Sequence, residues 1–181
     1  DHNIGSADKK IRENATEWFK RLFDVMAQLE IHHIGGALYS YWPIDFTQPV
    51  RKEEDWKYSV EGMRIMADLA SPYGIRLGME VLNRFENHLL NTAEEGVRFV
   101  KEVDKENVKV MLDTFHMNIE EDDLLQAILE TGDLLGHFHV GERNRKPPGS
   151  TNSLPWKEMA GALRQIGYQG AVVMEPFVLM G

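Results

Sequence analysis

Cysteine is absent from the 181 residues, which excludes disulfides, thiolate metal sites and cysteine nucleophiles. A reducing compartment is compatible with that, and a cytoplasmic location is the expectation. No apolar run approaches the ~20 residues needed to cross a bilayer, and no basic-then-apolar leader opens the chain, so no membrane partner is expected. Positive charge is also scarce. Twenty Lys plus Arg against 29 Asp plus Glu leave a formal charge of −9, which argues against a surface built to grip phosphate backbones and against a nucleic-acid partner. What is present is ordinary for a globular protein: 43% apolar and 27% charged residues, enough for a buried core in one domain.

The chain opens at Asp1 without an initiator Met and soon enters an amphipathic helix, a start more natural inside a fold than at its beginning. A fragment is expected. Ile11, Ala15, Trp18, Phe19, Leu22, Phe23, Met26 and Leu29 recur at steps of three and four, predicting a helix over Ala7 to Leu29 with Ser6 and Asp8 at its start. Helical spacing returns over Lys52 to Ala70, after Thr92, over Asp122 to Thr131, and over Leu154 to Ile166 with Pro155 in its first turn. The Thr92 and Glu95 pair forms a capping-box pattern. Between the helices lie short apolar runs at Ile31 to Tyr41, Ile75 to Leu82, Val108 to Asp113, Leu134 to Val140 and Ala171 to Glu175. Five strands alternating with five helices predict βαβ units and a parallel sheet, either doubly wound or part of a barrel.

Four of the five strands end in an ionisable residue among apolar neighbours: Glu80, Asp113, His139 and Glu175. In parallel α/β folds, the C-terminal ends of strands are where sites are built. A single strand-end acid is ordinarily a helix cap or a surface pair, but four successive strands with the same feature point to one shared site. Three buried carboxylates need a compensating charge, and a divalent cation supplies it. Carboxylate oxygens with one imidazole suit Mn²⁺, Mg²⁺ or Co²⁺. His137 and His139 face the same side of their strand, about 6.6 Å apart along it, so His139 is the better ligand and His137 a packing residue beneath it.

The strings Glu80-Val81-Leu82-Asn83-Arg84-Phe85-Glu86, Asp113-Thr114-Phe115-His116-Met117-Asn118-Ile119-Glu120-Glu121, Gly136-His137-Phe138-His139-Val140-Gly141-Glu142 with Asn144-Arg145, and Val173-Met174-Glu175-Pro176-Phe177 closely resemble the ketose 3-epimerases. That family includes the D-tagatose and D-psicose (allulose) 3-epimerases, within the xylose-isomerase-like sugar isomerases. The resemblance covers essentially the whole chain. It implies a (β/α)8 TIM barrel, of which residues 1–181 would be one partial domain holding strands four to eight. It also implies one bound Mn²⁺, or Co²⁺ or Mg²⁺, held by Glu80, Asp113, His139 and Glu175, with Glu80 and Glu175 as the catalytic acid/base pair. Glu86, His116 and Arg145 resemble the groups that bind the carbonyl end of the sugar, and Trp42-Pro43 matches, more weakly, an aromatic at the mouth. Arg143 reads as a solvated loop residue. The implied substrate is a free ketose, and the implied assembly is a homo-oligomer, dimer or tetramer.

The expected reaction is C3 epimerisation of D-fructose/D-psicose or D-tagatose/D-sorbose type, by deprotonation and reprotonation through an enediolate. Alternatives are a related isomerase or dehydratase, of hydroxypyruvate isomerase or inosose dehydratase type, and an inactive structural fragment. A metal-dependent abasic-site nuclease is disfavoured by the acidic charge and by the few histidines on strand ends.

Overall fold

In a computed structural model, the described residues are 2–45, 47 and 49–177. Among the described residues, six α-helices and five strands follow in the order α1 (Lys9–Gln28), β1 (His33–Gly36), α2 (Lys52–Ala70), β2 (Arg76–Glu80), α3 (Ala93–Val103), β3 (Val108–Asp113), α4 (Thr114–Glu120), α5 (Leu124–Thr131), β4 (Leu135–Val140), α6 (Trp156–Gln165) and β5 (Val172–Met174). All pairings are parallel, and the sheet order is β1-β2-β3-β4-β5. Strands added always on the same edge leave no point at which the order reverses. A doubly wound sheet requires such a reversal, so this is the wall of a barrel.

Side-chain alternation explains the curvature. Leu77 and Met79 on β2, Val108, Val110 and Leu112 on β3, and Phe138 and Val140 on β4 pack outward into the core beneath the helices. The intervening residues, including Gly78 and Glu80, Met111 and Asp113, and His137 and His139, face the concave side. Phe99 on α3 is fully buried between Tyr39 and Trp56, at ring distances of 5.7 and 5.2 Å. Truncating it to alanine should cost about 3–5 kcal/mol. Gly96 lets α3 lie close on the sheet, since a Cβ there would meet Val81 Cγ2 at 2.8 Å.

Local chemistry sets the boundaries. Asp8 caps α1 by accepting from Lys10 N, while Ser6 accepts from Asp8 N. The stripe on α1 is narrower than its sequence suggests: Ala15, Phe19, Phe23 and Met26 are buried, but Leu29 is 63% exposed and Trp18 stacks on His2. The first strand is four residues, shorter than the predicted run, and ends at Gly36 with φ 132°. Thr92 caps α3 through Glu95 N, whereas the Glu95 carboxylate accepts from Asn91 N and not from Thr92. Pro155 stands at the N-cap position of α6, one residue before its first turn. The short helix α4 is an addition to the five predicted. Among the described residues no helix is long and apolar enough to cross a membrane.

Candidate metal and acid/base site

The concave residues at the strand ends meet. Glu80 closes β2, Asp113 closes β3, His139 is the penultimate residue of β4, and Glu175 follows β5 directly. Asp113 is in register with His139, and His139 with Val173, two residues before Glu175. One potential ligand atom from each of Glu80, Asp113, His139 and Glu175 lies within 4.8 Å of the others. Asp113 is fully buried and divides its two oxygens: Oδ1 accepts from Phe115 N, capping α4, and Oδ2 faces the cluster. The ordinary reading of a strand-end acid, a helix cap, applies to this residue, and it leaves the second oxygen able to serve as a metal ligand.

Three carboxylates so close perturb one another. Burial, then the neighbouring Asp113 and Glu175 charges, push Glu80 up to about 7. Burial also raises Asp113, against the pull of Arg145. Glu175 goes the other way, to about 2, because His139 stabilises its charge and Arg145 adds to that against burial. Burial works to lower His139, but the carboxylates of Glu175, Glu80 and Asp113 outweigh it and leave the imidazole raised. His139 Nδ1 is buried, lies 3.5 Å from Glu175 Oε2 and has no hydrogen bond. An imidazole nitrogen beside three carboxylates fits a divalent cation, to which the four residues could offer ligands of the hard-to-borderline type.

A second group of residues stands beside the cluster. Arg145 Nη1 donates to Asp113 Oδ2 at 2.5 Å and to Glu175 Oε2 at 2.8 Å. Its guanidinium carbon lies 4.0 Å from the Phe115 ring centroid and 4.8 Å from that of Phe177. His116 is buried, with Nε2 4.0 Å from Glu80 Oε1 and 3.8 Å from Asp113 Oδ2. The backbone N–H of Asn83 donates to His116 Nδ1 at 3.1 Å. Burial and the Arg145 charge lower His116 to about 4, keeping it neutral. Arg145 Nη2 lies 2.9 Å from His116 Nε2 and can only donate, so a donor faces each ring nitrogen and a neutral imidazole accepts from one of them. Glu86 accepts from Asn83 Nδ2 at 2.9 Å and from Trp42 Nε1 at 3.3 Å. Glu80, Glu86, His116, Arg145, Glu175 and Trp42 line one cleft of about 580 Å³.

All seven site residues expected from sequence therefore converge. His137 lies beneath, stacked on His33 at 4.5 Å and edge-on to His139 at 4.9 Å, and Arg143 is exposed. Sequence reasoning gave no role to Asn83, which orients His116, or to Phe115 and Phe177, which sandwich Arg145. Their positions inside the quoted strings were the only signal available.

The chain is similar in sequence and fold to known proteins. The model of the xylose isomerase-like TIM barrel family matches residues 1–178. A D-psicose 3-epimerase of Agrobacterium fabrum is 58% identical over 179 residues, covering 99% of this chain and 62% of the relative. A D-psicose 3-epimerase of Ruminiclostridium cellulolyticum is 56% identical over 181 residues, covering 100% of this chain and 61% of the relative. A crystal structure of D-psicose 3-epimerase in the presence of D-fructose superposes with a TM-score of 0.97 at 58% identity, covering 99% of this chain and 62% of that one. The chain thus spans less than two thirds of the length of these relatives. One-way strand order and the match over nearly every residue agree that the chain belongs to the xylose isomerase-like TIM barrel family.

Proposed function

We propose that the chain is the C-terminal five βα units of a barrel that epimerises free ketoses at C3, between D-fructose and D-psicose or between D-tagatose and D-sorbose. The observation that carries this reading is the pair Glu80 and Glu175, two carboxylates that line one cleft from strands separated by two others and so approach a sugar between them from different sides.

Inverting C3 needs a base on one face of the sugar and an acid on the other. In one direction Glu175, ionised, takes the C3 proton, and Glu80, protonated, returns a proton to the opposite face. In the other direction the roles exchange. The Arg145 guanidinium stands beside His116 Nε2, where a carbonyl oxygen gaining charge would accept from the guanidinium. Glu86 and Trp42 close the mouth beside them. Glu80, Asp113, His139 and Glu175 would hold a divalent cation, Mn²⁺ first and Co²⁺ or Mg²⁺ as substitutes, whose chemistry is to polarise the ketose oxygens. A cytoplasmic enzyme acting as a dimer or tetramer belongs to the same reading.

The test is incubation of the Mn²⁺-loaded chain with D-fructose and with D-tagatose in D₂O. The C3 epimer carrying deuterium at C3 is expected. Absence of both epimer and label with Mn²⁺, Co²⁺ and Mg²⁺ overturns the proposal for this chain.

A further inference from the structure

The loop from Gly141 to Pro155 is polar and rich in Arg, Lys, Pro and Gly, yet the Glu142 within it is fully buried. Its carboxylate collects four donors. Oε1 accepts from Gly149 N at 2.7 Å and Trp156 Nε1 at 3.1 Å, and Oε2 accepts from Ser153 N at 3.0 Å and Ser153 Oγ at 2.5 Å. The far half of the loop and the start of α6 are thereby drawn onto one side chain. The Glu142 backbone builds the near half: its N–H donates to Lys146 O, and its carbonyl accepts from Arg145 N, both at 2.9 Å. Arg145 stands at φ 59°, a left-handed conformation that a non-glycine residue holds only when its surroundings impose it. From that turn its guanidinium enters the slot between Phe115 and Phe177, and Phe177 N donates to Arg145 O at 2.9 Å.

We propose that Glu142 is the positioning residue for Arg145: its carboxylate fixes the 141–155 loop so that the Arg145 fork is already aimed at the site before the sugar arrives. Glu142 touches neither the metal-ligand cluster nor the reacting atoms and acts through Arg145 alone. Four donors are more than a surface loop needs for solubility, and together they define one loop conformation. Burial works to raise the Glu142 carboxyl, but the Ser153 and Trp156 hydrogen bonds outweigh it and hold it at about 2, so the net stays formed at every working pH. The inference rests on the ketose reading for its kinetic consequence and on geometry alone for the loop.

The experiment compares Glu142→Ala and Glu142→Gln, each alone and with Arg145→Ala, as Mn²⁺-loaded chains. Glu142→Ala should raise KM for the ketose about tenfold with kcat changed less than about threefold, and Glu142→Gln, which keeps the shape and part of the acceptor set, should fall between it and wild type. In the Arg145→Ala background the Glu142 substitution should add nothing to KM. The Arg145 Nε–H resonance, displaced by the two ring faces, should move toward that of a free arginine in Glu142→Ala. A folded Glu142→Ala chain with unchanged KM and an unmoved Arg145 resonance overturns the proposal, as does an equal KM penalty with and without Arg145. Should Glu142→Ala not fold, Glu142→Gln decides by the same two readings. A wild-type chain that makes no epimer removes the ketose reading, and the Arg145 resonance then decides the positioning by itself.

Discussion

Arg145 and Glu175, thirty residues apart in sequence, meet with Nη1 2.8 Å from Oε2, and the same nitrogen reaches Asp113. The guanidinium therefore sets a fixed positive charge against two of the four candidate metal ligands. Replacing Arg145 with alanine should weaken ketose binding, raising KM about tenfold or more, without weakening Mn²⁺ binding, because a cation beside the ion's carboxylates is removed. Lysine should not restore KM, since a point charge cannot reproduce the two-pronged fork. Calorimetric titration with Mn²⁺ beside initial-rate kinetics checks both halves. A large loss of Mn²⁺ affinity in Arg145→Ala would contradict this arrangement.

The proposed acid/base pair, Glu80 and Glu175, should separate from binding. Glu80→Gln and Glu175→Gln keep side-chain volume and remove a proton carrier, so each should lower kcat by about 10²–10⁴ while KM changes little. Glutamine is also a poorer metal ligand, so the rates are measured at saturating Mn²⁺. Near-full epimerisation by either variant would end its assignment.

Stability of the metal-free chain should fall as the pH rises. Glu80 in the folded state holds its proton up to about pH 7, against an ordinary value of 4.5, because it is buried and then because Asp113 and Glu175 lie near. The folded chain binds that proton more tightly than the unfolded one, so the contribution is fully present below 4.5 and lost as the pH passes through about 7. His139, raised by the same carboxylates against burial, changes in the same direction over its own range. Glu175, depressed to about 2, contributes stability that is already complete above 4.5 and so does not oppose them. Unfolding free energies from urea titrations in EDTA at about pH 5 and pH 8 should differ by about 2–3 kcal/mol, with midpoints shifted accordingly, and Glu80→Gln should remove most of the difference. Equal midpoints at the two pH values would refute this.

Asp113 supports two separate predictions because its oxygens do two things. Asp113→Asn keeps an N-cap acceptor for Phe115 N and loses the charge toward the cluster and Arg145, so α4 should stay capped while Mn²⁺ affinity drops. Asp113→Ala should lose the metal and, in addition, about 1 kcal/mol of stability from the uncapped α4. Thermal unfolding of the metal-free variants, beside Mn²⁺ titration, separates the cap from the ligand.

The alternation of strands and helices was legible because period-two and period-3.6 apolar patterns report which face of each element is buried. The four strand-end groups were legible for a related reason, since a charge inside an apolar run is conspicuous in one dimension. The helix after Asp113 was not. Thr114 to Glu120 is only seven residues, too short for a repeating stripe, and its cap is the same carboxylate that the pattern assigned to the site. The predicted reciprocal capping box at Thr92 was half right, because Glu95 found Asn91 N and Lys52 instead, contacts that depend on how α2 and the preceding loop pack. The roles of Asn83 and Phe177 were equally hidden, since the groups they orient lie in other segments of the chain.

From sequence alone came the kind of fold, the acids and histidines at the strand tips, and the family, because local periodicity and contiguous strings are properties of neighbouring residues. Only the tertiary structure decided that the strands add in one direction, that four tips share one point, and that Arg145 is braced by two rings and a buried carboxylate. Those facts depend on distances between residues far apart in the chain, and such distances exist only once burial of the outward faces of the sheet has bent it around its inward ones.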